Sequence, residues 1–426
     1  LSPIKMQRRS SAALPVAAAA SGHADTAPVN RPPIRSRGKK TVEAPGRSRY
    51  RGGMSKDRSG DFEIFLQASP GHEAALLEEV RTHRFKASKA VPGGVSVRGS
   101  WREVWKANLV LRGAGRVTAR LAEFRVPRLV DLEKQAGAVP WREVLRADTP
   151  VRIEATCNAS RIYHSGAAEE RVGNAIRSSV GAPVVDEAEV CVRVRIDNDV
   201  CSVGIDTSGE LLHKRGHKEA VNKAPMRETM AALFLRQCGF TGREPVLDPM
   251  CGSGTFVIEA AEWAAGLLPG RTRRFAFEQL ATFDADAWKA MREASATIVP
   301  DVRFHGSDRD AGAITSSRAN AERAGVSGFT EFRQLMVSEI TPPAGPAGLV
   351  IANPPYGARI GERTALVPLY RAFGQTLASR FGGWRVGLIT TEASLAKACG
   401  LPFSTPFAPV SHGGLRVTLF LTGPLQ

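Results

Sequence analysis

Asn353, Pro354, Pro355 and Tyr356 follow directly on the apolar run Leu349-Val350-Ile351-Ala352. The exocyclic amino group of a nucleobase is a poor nucleophile, because its lone pair is delocalised into the ring. An asparagine side-chain oxygen and a backbone carbonyl can each accept one of its N–H bonds. That localises the lone pair and aims it at an electrophilic sulfonium methyl. Consecutive prolines fix φ, so the Pro354 carbonyl and the Asn353 side chain are held in place. Tyr356 can stack on the base and exclude water, with Pro355 against the same base. Asn353, Pro354 and Tyr356 are therefore candidate catalytic residues and Pro355 a candidate substrate contact. The plainer alternative is a proline-rich loop that ends a strand.

A second constellation is Val246-Leu247-Asp248-Pro249-Met250-Cys251-Gly252-Ser253-Gly254-Thr255. Glycines let a backbone turn tightly and approach a ligand at the positive end of the following helix. Taken alone, such a turn fits any nucleotide binder, or no ligand at all. Asp248 at the strand tip sharpens it, because open α/β sheets bind ligands beyond the carboxyl ends of their strands. Asp248, Met250, Gly252, Gly254 and Thr255 become candidate cofactor contacts. No Walker lysine follows Gly254, which disfavours phosphate transfer. Asp308, after Phe304-His305-Gly306-Ser307, can accept hydrogen bonds from two ribose hydroxyls. It can equally be the N-cap of the helix that starts near Asp310.

The elements that must position these residues read as β-α-β-α from about residue 220. Apolar strands are predicted at 245–249, 302–307, 349–352 and 385–391, with helical segments between them. The fold class is α/β, a doubly wound, mostly parallel sheet of the Rossmann-like type. Before it, Phe62, Ile64 and Leu66 alternate with Glu63, Phe65 and Gln67 as in a half-buried strand. Residues 71–85 then place Ala74, Leu77 and Val80 at helical spacing. Val91, Val95 and Val97 flank a Pro-Gly-Gly turn. A helix over 101–111 has Trp101, Val104, Trp105 and Leu109 on one side. Strands are expected at 116–125, 151–156, 189–196 and 200–206, and helices at 129–136 and 167–180. The expected domains are 61–210, an α+β module, and 211–426.

The 426 residues carry a formal net charge of +16, which favours a polyanionic partner through counterion release. Residues 1–60 hold thirteen basic and three acidic residues, so about +10 of that charge lies there. They lack hydrophobic periodicity and are expected to be a disordered basic tail. An RNA-affinity tail, a transit peptide and an upstream extension ahead of Met54 all fit it, the last best. Cys157, Cys191, Cys201, Cys238, Cys251 and Cys399 show no C-x-x-C spacing. Neither a zinc site nor a disulfide framework is expected, and a reducing, cytoplasmic setting is. No apolar run is long enough to span a bilayer.

In this order, Asp248 with the glycine turn, Asp308 and Asn353-Pro354-Pro355-Tyr356 resemble class I S-adenosylmethionine-dependent amino-group methyltransferases. Residues 209–217 (Gly-Glu-Leu-Leu-His-Lys-Arg-Gly-His), Ala224-Pro225-Met226-Arg227-Glu228-Thr229, and 277–296 with Phe283-Asp284 and Trp288 narrow the likeness. They resemble the THUMP-containing RNA guanine-N2 methyltransferases, nearest those that act on large-subunit ribosomal RNA. The likeness covers about residues 61–426, specific in the catalytic motifs and one of pattern before them. It implies a ferredoxin-like module over 61–115, a THUMP RNA-binding domain over about 104–208 and a seven-stranded catalytic sheet. It implies S-adenosyl-L-methionine as cofactor, with Asp308 on its ribose and Pro225 and Arg227 in the segment that closes over it. Longer relatives append a second methyltransferase; this chain ends at Gln426, so one activity is expected. One departure is Met336, which falls where many relatives place a polar adenine contact. Gln334 or a backbone N–H would then serve, or the register differs by two.

The expected reaction is direct in-line methyl transfer to N2 of a guanine flipped out of its helix, with no metal and no dedicated base. His305 reads as a core histidine. Arg116, Arg120, Arg193 and Arg195 are candidate RNA contacts, or merely solvated strand-face arginines. The partner is RNA, ribosomal or precursor, and the protein is expected to be a monomer. Rival readings are a transfer-RNA guanine-N2 enzyme, a DNA adenine-N6 enzyme and a non-catalytic assembly factor.

Overall fold

The computed structural model describes residues 60–219, 226–356 and 360–426, without the side chains of 360–364. The expected tail before Gly60 and the candidate Pro225 lie outside the described residues. The described residues all belong to one compact unit within Tyr50–Gln426.

The first half builds one antiparallel-dominated sheet from seven strands. These are β1 (Phe62–Gln67), β2 (Lys89–Val91), β3 (Gly94–Gly99), β4 (Arg116–Arg125), β5 (Val151–Asn158), β6 (Val190–Asp197) and β7 (Val200–Asp206). Their order is β2-β3-β1-β4-β7-β6-β5. Only β5 and β6 run parallel, joined through α5 (Ser165–Val180) as a parallel pair requires. The other helices here are α1 (Glu73–Thr82), α2 (Trp101–Val110), α3 (Leu129–Gly137) and α4 (Trp141–Val144).

The expected inward face of α1 is corrected. Ala74 is exposed and Leu77 half-buried, while Ala75, Leu76, Glu79 and Val80 point inward. The cause is polar. The buried Glu79 carboxylate accepts hydrogen bonds from the Arg112 and Gly113 backbone N–H groups at 2.6 and 2.9 Å. Those bonds repay the burial of a charge and set the rotation of the helix.

The second half is an α/β layer. Its elements are α6 (Glu228–Gln237), β8 (Val246–Asp248), α7 (Thr255–Ala264), α8 (Ala285–Glu293), β9 (Phe304–Asp308), α9 (Ala311–Arg323), β10 (Thr330–Gln334), β11 (Leu349–Ala352), α10 (Ile360–Arg380), β12 (Arg385–Thr390), α11 (Ala393–Ala398), β13 (Val410–His412) and β14 (Leu415–Leu421). The strand order is β10-β9-β8-β11-β12-β14-β13. The first five are parallel; β14 then joins β12 antiparallel, and β13 joins β14 antiparallel. The seven-stranded doubly wound sheet is present, and the order reverses between β8 and β11. Ligands bind beyond the strand ends at such a reversal.

The segment after α7 leaves its own sheet. Phe275, Phe277, Leu280 and Trp288 join the core of the first half with Trp105, Leu109 and Val144. Phe277 rings lie 6.1 Å from Trp105 and 5.0 Å from Trp288. Its N–H donates to the Thr207 carbonyl at 3.1 Å.

Candidate active site

The parallel register brings the sequence motifs to one end of the second sheet. Asp248 lies opposite Gly306, and Asp308 opposite Gln334. β11, which delivers Asn353, is the neighbour of β8, which delivers Asp248. Adjacent strands lie about 4.8 Å apart, so the two motifs share one rim.

The turn after β8 is pinned from several sides. Cys251 N–H donates to the Ser307 carbonyl at 2.9 Å. Ser317 Oγ donates to the Gly252 carbonyl at 2.8 Å, and Asn320 Nδ2 to the Ser253 carbonyl at 3.0 Å. Gly254 has φ +83°, and a Cβ there would sit 3.2 Å from Ile258 and Phe332. The positive φ favours glycine, and a Cβ would make both side chains give way by a few tenths of an ångström. Gly254 also caps α7 with no side-chain hydrogen bond. The first N–H groups of that helix are thus left for a ligand, at its positive end.

Asp308 holds the turn as well. Its Oδ2 accepts from Gly252 N–H and its Oδ1 from Asp310 N–H, each at 3.0 Å. The N-cap role falls to Asp310, which accepts from Gly312 N–H at 2.7 Å. Asp248 is buried, with Oδ1 accepting from Met250 N–H at 3.1 Å. Burial pushes its carboxyl up to about 8; the Met250 bond opposes this and the Asp308 charge adds to it.

Past β11, Asn353 Oδ1 is buried and has no hydrogen-bond partner among the described residues. Unpaired buried acceptors of this kind are rare, because each costs about 1–3 kcal/mol in lost hydration. Tyr356 is half-buried; burial raises its phenol pKa and the Asn353 side chain opposes the rise. The fully buried Tyr370 of α10 donates its hydroxyl to the Pro355 carbonyl at 3.3 Å, with Thr390 Oγ1 also at 3.3 Å.

Tyr356 opens onto a cleft of about 650 Å³ lined by His213, Lys218, Met226, Arg227, Glu228 and His412 among others. Lys218 Nζ binds Thr255 Oγ1 at 2.9 Å and the Met226 carbonyl at 2.8 Å, and pairs with Glu228 at 3.3 Å. It ties the segment around Arg227 to the first residue of α7.

The four candidate RNA-contact arginines sit elsewhere, on the first sheet, each beside a carboxylate. Arg116 pairs with Asp206, and Arg120 with Glu63 at 3.0 Å. Arg193 pairs with Glu154 at 2.9 Å, and Arg195 with Asp197 at 2.9 Å. His305 is half-buried, 3.4 Å from Glu331. Gln334 Nε2 donates to the Arg309 carbonyl, and the N–H groups of Leu335 and Met336 are bound to the Asp308 carbonyl and to Glu339. Among the described residues no group of three or more His, Cys, Asp or Glu could hold a metal ion. Nor is any helix there long and apolar enough to cross a membrane.

Sequence reasoning missed Lys218, Ser317, Asn320, Tyr370 and His412. Ser317 and Asn320 left a trace, a polar pair one helical turn apart on the face that also carries Ala313, Ile314 and Ala321. The others depend on tertiary closeness that spacing does not carry.

Three family profiles match the chain. They are an RlmL ferredoxin-like domain over residues 63–118, a THUMP domain over 128–206 and an RMKL-like methyltransferase domain over 215–411. The chain is 31% identical over 369 residues to a protein of Synechocystis sp. provisionally named RNA methyltransferase slr0064, covering 83% of this chain and 95% of that one. It is 31% identical over 342 residues to ribosomal RNA large subunit methyltransferase K/L of Vibrio campbellii, covering 77% of this chain and 48% of the relative. It therefore spans about half the length of that relative. Among solved structures, SMU.472, provisionally a methyltransferase and complexed with SAH, superposes with a TM-score of 0.76 at 26% identity. That match covers 86% of this chain and 99% of the other.

Proposed function

Because the chain belongs to the THUMP-containing, RMKL-like family of S-adenosylmethionine-dependent RNA methyltransferases, we propose that it methylates N2 of a guanine in large-subunit ribosomal RNA. The observation that carries this reading is the buried, unpartnered Oδ1 of Asn353 at the tip of β11. It is an acceptor for which the described residues supply no donor. A guanine amino group supplies it, and the Pro354 carbonyl takes the second N–H.

The residues present fit the cofactor. The uncapped start of α7, the close-packed Gly254 and the Asp308 carboxylate at the end of β9 together suit a nucleoside with a ribose. Bound there, S-adenosylmethionine supplies the electrophilic methyl group. Asp308 holds the ribose hydroxyls while it fixes the Gly252 N–H. Met336, 54% exposed just past β10, takes the place of a polar adenine contact with an apolar face. Asn353 orients the target amine and Tyr356 stacks on the base. Tyr370 keeps the proline loop from relaxing. Most of the rate then comes from positioning in a water-poor cleft.

Replacing Asn353 with Ala is expected to lower kcat about 100-fold or more while leaving SAH binding within twofold. The check is nucleoside mass spectrometry of ribosomal and transfer RNA from cells with, without and with altered enzyme. Loss of N2-methylguanosine from the large-subunit fraction supports the proposal. Loss from transfer RNA alone moves the substrate, and no change in either fraction sinks it.

A further inference from the structure

The cleft beside Tyr356 is lined by four cations, Lys214, Arg215, Lys218 and Arg227, against two carboxylates, Glu210 and Glu228. Both carboxylates are already engaged, Glu210 with Lys214 at 2.6 Å and Glu228 with Lys218 at 3.3 Å. Arg215 is buried and bound to Glu259 and to the Leu212 and Arg112 carbonyls. Arg227 is different: it is exposed, and no ion pair or hydrogen bond of its side chain occurs among the described residues.

His412 lines the same cleft at only 7% exposure, and its Nδ1 has no hydrogen-bond partner among the described residues. Burial lowers its pKa, and Arg227 and then Lys218 lower it further. Arg227 is also the leading charge on His213 across the cleft, whose pKa burial and these cations bring down to about 4. The guanidinium and both imidazoles line this one cleft, and each neutral imidazole keeps one N–H to donate. His412 opens the turn between β13 and β14, where Gly413 (φ +56°) and Gly414 (φ +83°) carry no side chains. That two-glycine turn leaves a passage beside the histidine.

We propose that Arg227 and His412 form an oxyanion subsite at the mouth of the cleft that grips a backbone phosphate next to the target nucleotide. Arg227 supplies the charge and His412 a neutral hydrogen bond. The proposal rests on RNA being the substrate. The same chemistry would also hold the methionyl carboxylate of the cofactor, so the test separates the two.

The full chain is titrated with a fluorescent single-stranded RNA pentamer centred on guanosine, from 50 to 200 mM KCl, and separately with SAH by calorimetry. Arg227→Gln is expected to weaken the RNA about tenfold at low salt and to flatten the slope of log K against log salt by about 0.7. SAH affinity stays within twofold. Arg227→Lys restores the slope. His412→Gln weakens the RNA a few-fold without changing the slope, because a neutral group releases no counterion. Melting temperatures of all variants are recorded alongside. An unchanged slope in Arg227→Gln, or no binding of the pentamer by the unaltered protein, overturns the subsite. So does a fivefold loss of SAH affinity with RNA binding intact, which assigns the oxyanion to the cofactor. Binding needs no turnover, so absent N2-methylguanosine would sink the functional reading and leave this result standing.

Discussion

The Asp248 carboxyl and the Asn353 Oδ1 are two buried polar groups held ready in opposite ways. Among the described residues the Asn353 Oδ1 has no donor; the Asp248 carboxyl is cut off from water. A carboxyl raised to about 8 by burial binds a proton that the unfolded chain releases near pH 4. Its stability contribution is full below the unfolded value and is lost as pH rises toward about 8. Relative to Asp248→Asn, the cofactor-free protein should lose melting temperature steadily from pH 5 to 8, and no further above that. Paired thermal melts across this range check it, and parallel curves would refute it. These residues were legible in the sequence because each belongs to a contiguous motif beside a glycine or proline that constrains the backbone. His412 was not, since nothing within its own neighbourhood distinguishes Ser411-His412-Gly413 from an ordinary hairpin turn.

Elements hold these residues with varying redundancy. The turn after β8 has anchors from α9, β9 and Lys218. The Asn353 loop has Tyr370. Tyr370→Phe removes one neutral hydrogen bond, worth about 1 kcal/mol, so kcat should fall about fivefold with SAH affinity unchanged. Equal loss in both would mean general unfolding instead. Most strands were predictable because apolar alternation and β-branched runs report burial directly, as in β1 and β6. The face of α1 was misread because an inward glutamate breaks the apolar pattern. The closing β13–β14 pair went unpredicted. Its strands flank a Gly-Gly turn after a long irregular segment, and the short β13 carries too little periodicity to register.

Across the whole molecule, charge is buried where the two sheets meet. Arg112 binds Glu259 at 2.9 Å and Arg215 reaches the same carboxylate at 3.3 Å. Burial pushes Glu259 up, but Arg215 and Arg112 outweigh it and hold the acid below its ordinary range. Arg112 comes from the first half of the chain, and Glu259 sits one turn along the helix that begins at the cofactor rim. Glu259→Gln takes the shared carboxylate away from two buried guanidinium groups and should cost about 3–5 kcal/mol, read as a lowered urea midpoint. A shift below about 1 kcal/mol would show that water reaches the junction.

Phe277 and Trp288 lie between the glycine turn and β9 in sequence, yet they are packed beneath the other sheet. The catalytic half is thus mortised into its neighbour. Gene shuffling could not trade it as a cassette, and a fragment starting at residue 215 would present bare aromatic rings to water and precipitate.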